Sequence, residues 1–372
     1  MRCKIISMLC VLIVLFSLTG CSALYSNSYR SEQDFQGNEK IDLDADVQVV
    51  QNYSELRRLV FGMVNSHTET KELVFSGYTG NAVSDIASVC NAVKNESSFG
   101  AYCVDYISYD LRQIVSSYEA VITISYLYTA EELQILQTTS NLDSFAELLA
   151  QALERGDSKL VVRVNNGIAD VEAVEDLMEH TARNCPLKIS YIPVFTVRIF
   201  DGNTSQKIYD VSVQYDSGLD NESRLQKMNT AITELLNQVQ SEKEEKRIAD
   251  AALLLNDHCT HAEDGASTAF QAFTEQTADS QGIACAFKAM CDRMGVECMV
   301  VDGRIGKLPH FWNIVKIEDS YYHMDITLLS TMGGNDRLFM KDSEKQTNCW
   351  WDQSEYPECD GELTYESVIL FE

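Results

Sequence analysis

The twelve cysteines are the residues of this chain with the widest range of possible chemistry, because a thiol can bind a metal, form a disulfide or act as a nucleophile. The spacing Cys285-x5-Cys291-x6-Cys298 matches no zinc-binding pattern, and the chain has no Cys-x-x-Cys pair. We therefore predict no metal and no cofactor site. Three cysteines lie in the first 21 residues, and the remaining nine are an odd number, so at least one thiol stays free. We expect most of them to pack as small apolar groups.

Two neighbouring segments carry a histidine and an aspartate between aromatic residues. They read Pro309-His310-Phe311-Trp312-Asn313 and Tyr321-Tyr322-His323-Met324-Asp325. Both closely follow patterns of the transglutaminase-like superfamily, which residues 241–372 resemble. The resemblance covers about a third of the chain. It implies a papain-like α+β core and a Cys-His-Asp triad in chain order, with His310 and Asp325 as its second and third members.

The nucleophile position follows from the register of the family pattern. Residues 268–296 align with it without a gap, and Gly282, Ala284, Phe287 and Gly295 fall on family positions. The position of the catalytic cysteine is then occupied by Ser280. A degenerate triad of Ser280, His310 and Asp325, with low activity, is therefore what the resemblance implies.

The exchange of a thiol for a hydroxyl matters because the two groups ionise differently. A cysteine at a helix start can rest as a thiolate beside an imidazolium, whereas a serine must lose its proton during attack. Asp279 adds a negative charge next to this position, which opposes formation of an anion. These features favour a pseudoenzyme that binds a peptide or a cell-surface glycan.

Three other interpretations of this segment stay open. Ser280 can be the N-cap of the amphipathic helix that Ile283, Phe287 and Met290 predict. It can also be the nucleophile of an active acyl transferase or amide hydrolase. Cys285 can be the nucleophile of a thiol enzyme, but it lies about 140° around the helix from position 280.

The elements before residue 241 are predicted to form a duplicated α/β region, 47–240, with halves of about 47–137 and 140–240. Turns at Thr79-Gly80 and Asn166-Gly167 lie at corresponding points of the two halves. The predicted elements are helices 54–64, 82–93, 129–136, 144–153, 170–182 and 222–239, and strands 72–76, 101–107, 119–126, 159–164, 188–199 and 208–215. A capping-box pattern at Ser241 and Glu244 predicts the start of a helix, 242–256, and of the transglutaminase-like domain, 241–372.

The N-terminal sequence predicts the cellular location of the protein. Arg2 and Lys4 precede an apolar run, 5–18, that is too short for a bilayer span of about 20 residues. Its end, Leu18-Thr19-Gly20-Cys21, resembles the bacterial lipoprotein signal. The resemblance implies cleavage of 1–20, acylation of Cys21 with chains such as palmitate, and anchoring at the extracytoplasmic face of the cell membrane. Residues 21–46 are then the lipidated cysteine and a flexible polar tether.

Composition and charge exclude several classes of protein. The chain is 45% hydrophobic with 4 prolines in 372 residues, which is typical of folded domains and not of disordered or collagen-like chains. Its net charge of −27 repels phosphate backbones, so we predict no nucleic-acid partner. The expected partners are the membrane, through the lipid, and a peptide or cell-wall ligand.

Overall fold

The computed structural model describes residues 47–216, 218 and 220–370. The predicted leader, the lipidation site Cys21 and the tether lie outside these residues and stay predictions. Within the described ranges, no helix combines the length and the apolar character needed to cross a membrane. The described residues form helices and four separate sheets, so the predicted α+β class is confirmed.

The first part of the described chain carries a four-stranded sheet. Its elements are β1 (Val47–Asn52), α1 (Tyr53–Asn65), β2 (Thr70–Thr79), α2 (Ala82–Asn95), α3 (Ser98–Cys103), β3 (Val104–Ile114) and β4 (Ser117–Tyr126). The strand order is β1-β2-β4-β3. Strand β1 runs parallel to β2, and α1 provides the crossover that a parallel pair requires.

The next part repeats this topology. Its elements are α4 (Ala130–Gln134), β5 (Gln137–Thr139), α5 (Leu142–Arg155), β6 (Lys159–Val164), α6 (Val171–Arg183), β7 (Val194–Phe200) and β8 (Lys207–Gln214). The strand order is β5-β6-β8-β7, again first-second-fourth-third, and β5 runs parallel to β6. The similar sequence patterns of the two halves therefore correspond to two sheets of one topology.

Two predicted strands of this region differ in the structure. The strand predicted at 101–107 begins only at Val104, because residues 101–103 belong to helix α3. The side chain of Ser97 caps this helix by accepting a hydrogen bond from the Gly100 amide. The strand predicted at 188–199 begins only at Val194. Pro193 directly precedes it, and a proline lacks the amide needed to extend a sheet ladder.

The described chain divides into two compact units. The first comprises 47–82 and 109–122, and the second comprises 83–108 and 123–370. The second unit contains both the second sheet and the C-terminal region. Its largest apolar core includes Met228, Ile232 and Leu235, which precede the predicted domain boundary at 240–241. That boundary stays a prediction.

The C-terminal region of the described chain combines seven α-helices with an antiparallel sheet, and the long helix α10 packs on one face of that sheet. Its helices are α7 (Asn221–Leu236), α8 (Glu244–His258), α9 (Ala269–Thr274), α10 (Ser280–Met294), α11 (Ile326–Met332), α12 (Asp342–Lys345) and α13 (Tyr365–Leu370). Its strands are β9 (Thr260–Ala266), β10 (Thr277–Ala278), β11 (Cys298–Ile305), β12 (Leu308–Ile317), β13 (Ser320–Met324), β14 (Leu338–Met340) and β15 (Cys349–Trp351). Five strands form a sheet in the order β14-β13-β12-β11-β15, and β9 pairs with β10.

Of the two predicted capping boxes, one is confirmed. Thr129 accepts from the Glu132 amide, and the Glu132 carboxylate accepts from the Thr129 amide. The box predicted at Ser241 is wrong, because α8 has its N-cap at Lys243. Ser241 instead accepts from the Lys243 amide, a local turn that competes with helix capping.

Candidate functional site

Helix α10 begins with Asp279 as its N-cap. The Asp279 side chain accepts a 2.8 Å hydrogen bond from the Gly282 amide, and Ser267 Oγ donates to its other carboxylate oxygen. A carboxylate at this position also interacts favourably with the positive end of the helix dipole. The alternative that Ser280 caps the helix is therefore wrong. Ser280 is the first helical residue, which leaves its hydroxyl available for another contact.

Gly282 allows this helix start to lie close to β9 and β10. A Cβ atom at Gly282 would meet the Ala266 carbonyl oxygen at 2.5 Å and the Ala278 Cβ at 2.8 Å. Both distances are shorter than side chains tolerate, and one of the two atoms belongs to the backbone. Glycine at this position is therefore what sets the distance between the helix start and the neighbouring chain.

The hydroxyl of Ser280 contacts strand β12. Its Oγ accepts a 3.3 Å hydrogen bond from the Phe311 amide, and the residue is 9% exposed. Phe311 follows His310 directly, so the helix start and the histidine meet at one end of β12. Among the described residues, Ser280 Oγ and the His310 ring form no hydrogen bond with each other.

Strand alternation separates the side chains of β12 between the two faces of the sheet. Asn313 lies on the side of α10, where its Nδ2 donates to the Ala284 carbonyl at 2.9 Å. Trp312 lies on the other side, where its ring meets Trp351 and stacks on the His310 ring with centroids 5.7 Å apart. The imidazole thus leaves β12 on the face opposite to the body of α10.

His310 and Asp325 form the predicted pair. His310 Nε2 lies 2.7 Å from Asp325 Oδ2, and both side chains are buried. Asp325 follows β13 and is the N-cap of α11, where its Oδ1 accepts from the Leu328 amide at 2.8 Å. Among the described residues, His310 Nδ1 has no hydrogen-bond partner. The carboxylate can therefore orient the imidazole and leave Nδ1 to accept a proton.

Lys345 is a member of this site that the sequence analysis missed. Its Nζ bonds the same Asp325 Oδ2 that contacts His310, and the lysine is 1% exposed. The ammonium also lies 4.2 Å from the Trp312 ring centroid, within the range of a cation–π contact. Burial raises the pKa of Asp325, but Lys345 and His310 outweigh that effect and hold it well below its usual range. Asp325 is therefore ionised.

Cys349 is a second missed neighbour. Its Sγ lies within 4.8 Å of a ring nitrogen of His310 and of a carboxylate oxygen of Asp325. Burial raises the pKa of the Cys349 thiol, and this effect exceeds the opposing influence of Lys345. A protonated, buried thiol is not a poised nucleophile. The charged run 341–345 and a lone cysteine carry no sequence signal that could have placed either residue at this site.

A second histidine–aspartate pair lies beside the first. His323 Nε2 lies 2.8 Å from Asp342 Oδ1, and the Trp312 indole donates to His323 Nδ1 at 2.9 Å. Since Nδ1 accepts, the neutral ring carries its proton on Nε2. Burial lowers the pKa of His323, consistent with a neutral ring. Trp312 is thus both a core residue and the link between the two histidines.

Each histidine–aspartate pair has a cysteine nearby, which gives two groups with metal-ligand chemistry. The groups are His310, Asp325 and Cys349, and His323, Asp342 and Cys359. In the first group the carboxylate already binds the Lys345 ammonium, whose charge opposes a metal cation. In the second group both nitrogens of the ring are already engaged in hydrogen bonds. Both groups therefore have the chemistry of hydrogen-bond networks.

Cys285 lies apart from the histidine. Its Sγ contacts the Arg183 carbonyl oxygen at 3.6 Å, and burial raises the pKa of its thiol to about 12. A thiol of this kind is inert at neutral pH. All nine cysteines of the described chain are unpaired, and seven of them are buried.

A cleft of about 370 Å³ opens next to the start of α10. Gln281, the neighbour of Ser280, lines it together with Glu175, Glu179 and Arg183 of α6 and with residues 192–195. Arg183 bonds Glu179 and Asp302, and its guanidinium lies over the Phe311 ring. The volume is within the range of small-ligand sites, and both charged and apolar groups line the cleft.

Two solved structures show similarity to this chain. A TGase crystal structure matches with a TM-score of 0.27 and 14% identity, over 52% of this chain and 59% of the other. A candidate cysteine protease from Cytophaga hutchinsonii matches with a TM-score of 0.25 and 11% identity, over 46% of this chain and 78% of the other. The chain thus spans less than two thirds of the TGase. No family model and no curated protein matches the sequence.

Neither likeness assigns a role to a residue of this chain. The site's own geometry brings together the three residues that the sequence predicted at one end of β12. It joins two of them directly, His310 and Asp325, and holds the third, Ser280, through the backbone of that strand. It also surrounds the pair with Lys345, Trp312 and Cys349.

Proposed function

We propose that this protein is a lipid-anchored extracytoplasmic lipoprotein whose transglutaminase-like region is catalytically degenerate and binds a peptide or a cell-surface glycan. The observation that carries the proposal is the engagement of Ser280. Its Oγ accepts from the Phe311 amide, and no hydrogen bond joins it to His310 among the described residues. A serine nucleophile needs a base that removes its proton during attack.

The electrostatics near Ser280 support the same proposal. Asp279 caps the helix, so its carboxylate occupies the positive helix end that would otherwise stabilise an anion at position 280. The base at His310 is oriented, but an alcohol held by a backbone amide is not in contact with it. The alternative of an active serine enzyme is the outcome that the turnover experiment below is designed to detect.

The cleft beside Gln281 provides a place for a ligand. Glu175 and Glu179 can accept hydrogen bonds from amides, ammonium groups or sugar hydroxyls. Gln281, whose Nε2 also donates to the Ser267 carbonyl, has a second N–H for a ligand carbonyl, and Arg183 holds Glu179 in place. Val194 and Phe195 add apolar surface. Peptides and amino-sugar glycans both present such groups.

Binding and turnover test the proposal separately. Soluble peptidoglycan fragments and a glutamine-containing peptide are titrated into the full chain in a calorimeter. Val194→Asp, at a 63% exposed residue lining the cleft, should abolish binding, whereas Ile135→Asp, at a 79% exposed residue outside the cleft lining, should not. Release of ammonia from the peptide should be absent. Turnover that Ser280→Ala abolishes would establish a serine enzyme. Turnover that is lost when Cys285 is alkylated would establish a thiol enzyme.

A further inference from the structure

The His310–Asp325 pair contacts a positive charge that a cysteine–histidine–aspartate triad does not need. Asp325 Oδ2 contacts His310 Nε2 and also the ammonium of Lys345. We infer that Lys345 is a positioning residue that silences His310: its ammonium offsets the charge of the Asp325 carboxylate, on which a protonated imidazole depends. This rests on the proposed function, for which it supplies a second cause of inactivity beside Ser280.

The lysine cannot leave this position without a large cost. It is 1% exposed, and Asp325 is fully buried. The Trp312 ring covers the ammonium at 4.2 Å, and Asp325 is the carboxylate that Lys345 pairs with among the described residues. A charge buried in this way is retained only with its partner. The ion pair is therefore a fixed part of the site, in every state in which Asp325 is ionised.

Few other charges reach the imidazole. Cys349 lies beside it, and His323 lies against Trp312; burial raises the pKa of Cys349 and lowers that of His323, so both are uncharged at neutral pH. Arg337 adds a positive charge that acts on Cys349. Asp342 bonds His323, on the far side of Trp312. Asp325 contacts the imidazole directly, and the Lys345 ammonium on the same carboxylate oxygen offsets part of its negative charge.

This offset opposes one specific proton transfer. In a thiol enzyme the proton of the nucleophile moves to His310, which leaves a thiolate and an imidazolium, and an adjacent carboxylate stabilises the imidazolium. Here the imidazolium would share one carboxylate oxygen with an ammonium, and like charges at this range disfavour each other. Position 280 lies at the same end of β12 as His310, so a thiol there would respond to the charge of the imidazole through space, without a hydrogen bond to it. With no imidazolium nearby, that thiol should ionise as a free cysteine does.

The test measures the ionisation of that thiol. Ser280→Cys is made in the full chain, alone and with Lys345→Gln, whose amide can still donate to Asp325 but carries no charge. The rate of iodoacetamide alkylation at position 280 is followed from pH 5 to pH 10 by peptide mass spectrometry, which separates it from the other cysteines. Ser280→Cys with Lys345→Arg is the matched control, since it retains the charge.

In the single variant we expect the midpoint of alkylation near that of a free cysteine, about pH 8.5. Lys345→Gln should lower the midpoint by about one to two pH units. The Asp325 charge can then stabilise an imidazolium at His310, and that positive charge favours a thiolate at position 280. Lys345→Arg should leave it unchanged. If Lys345 were purely structural, the midpoint would not shift when glutamine removes the charge and stay unchanged when arginine retains it.

Two results would overturn the inference. One is a midpoint below about pH 7 in Ser280→Cys alone, which would mean that the thiolate forms despite Lys345. The other is an equal midpoint in the Gln and Arg combinations. If Lys345→Gln does not fold by circular dichroism, the single variant decides the matter alone. Turnover by the wild-type protein would contradict the proposed function, yet would leave these midpoints as they are.

Discussion

The indole N–H of Trp312 donates a 2.9 Å hydrogen bond to Nδ1 of His323, and the same ring stacks on His310. One aromatic side chain thus connects the two histidine–aspartate pairs. It is 1% exposed and lies at the centre of the smaller core on its face of the sheet. We therefore expect the local order of the site to depend on this uncharged residue.

Trp312→Phe should lower the free energy of unfolding by about 1–3 kcal/mol more than its lost packing alone, because it leaves His323 Nδ1 buried without a donor. Urea denaturation at pH 7.5 measures the change. Trp350→Phe is the control, since Trp350 is 57% exposed and should change stability by less than about 0.5 kcal/mol. Equal effects of the two substitutions would contradict the role of the hydrogen bond.

Asp325 should make the protein sensitive to acid. Its pKa is lower in the folded protein than the unfolded value of about 3.9, so its ionisation stabilises the fold above that pH. This stabilisation is lost as the pH falls from about 4 through the lower folded pKa. Chemical denaturation from pH 5 to pH 2 should show a shallower loss in Asp325→Asn than in wild type. Parallel curves would rule out this contribution.

His180 should act in a different pH range. It is half-buried beside Arg183, and burial, with a smaller contribution from that arginine, lowers its pKa to about 4. Because the unfolded value is about 6.5, the neutral ring stabilises the fold above that pH, and this is lost as the pH falls toward 4. The free energy of unfolding should fall by up to about 3 kcal/mol between pH 7 and pH 4. His180→Gln should remove most of that slope in urea titrations, and an unchanged slope would refute the assignment.

Cys21 should decide the location of the protein. Cells expressing the wild-type chain should incorporate labelled palmitate into it, and the protein should fractionate with membranes. Cys21→Ser should lose the label and the membrane association. Cys285→Ser is the control, because its buried thiol contacts the Arg183 carbonyl and should have no part in acylation. Label that persists in Cys21→Ser would show that another residue is acylated.

The sequence by itself determined the local features of this protein. Apolar spacing predicted α10, and the resemblance of the segments around His310 and Asp325 to one family pattern predicted that these two side chains act together; the paired strands β12 and β13 bring them into contact. The repeated pattern before residue 241 corresponds to two sheets with one strand order. Such features depend on residues close together in the chain, which is why periodicity and motif spacing report them.

Only the tertiary structure decided the charge balance and the contacts of the site. Asp279 and Ser280 are both good helix caps, and the choice between them depends on Ser267 and Phe311, which come from other elements. Lys345 lies in a charged run typical of an exposed turn, yet the packing of α12 behind β13 buries it against Asp325. The free energy of such a contact depends on burial and on partners distant in the chain, and a sequence pattern records neither.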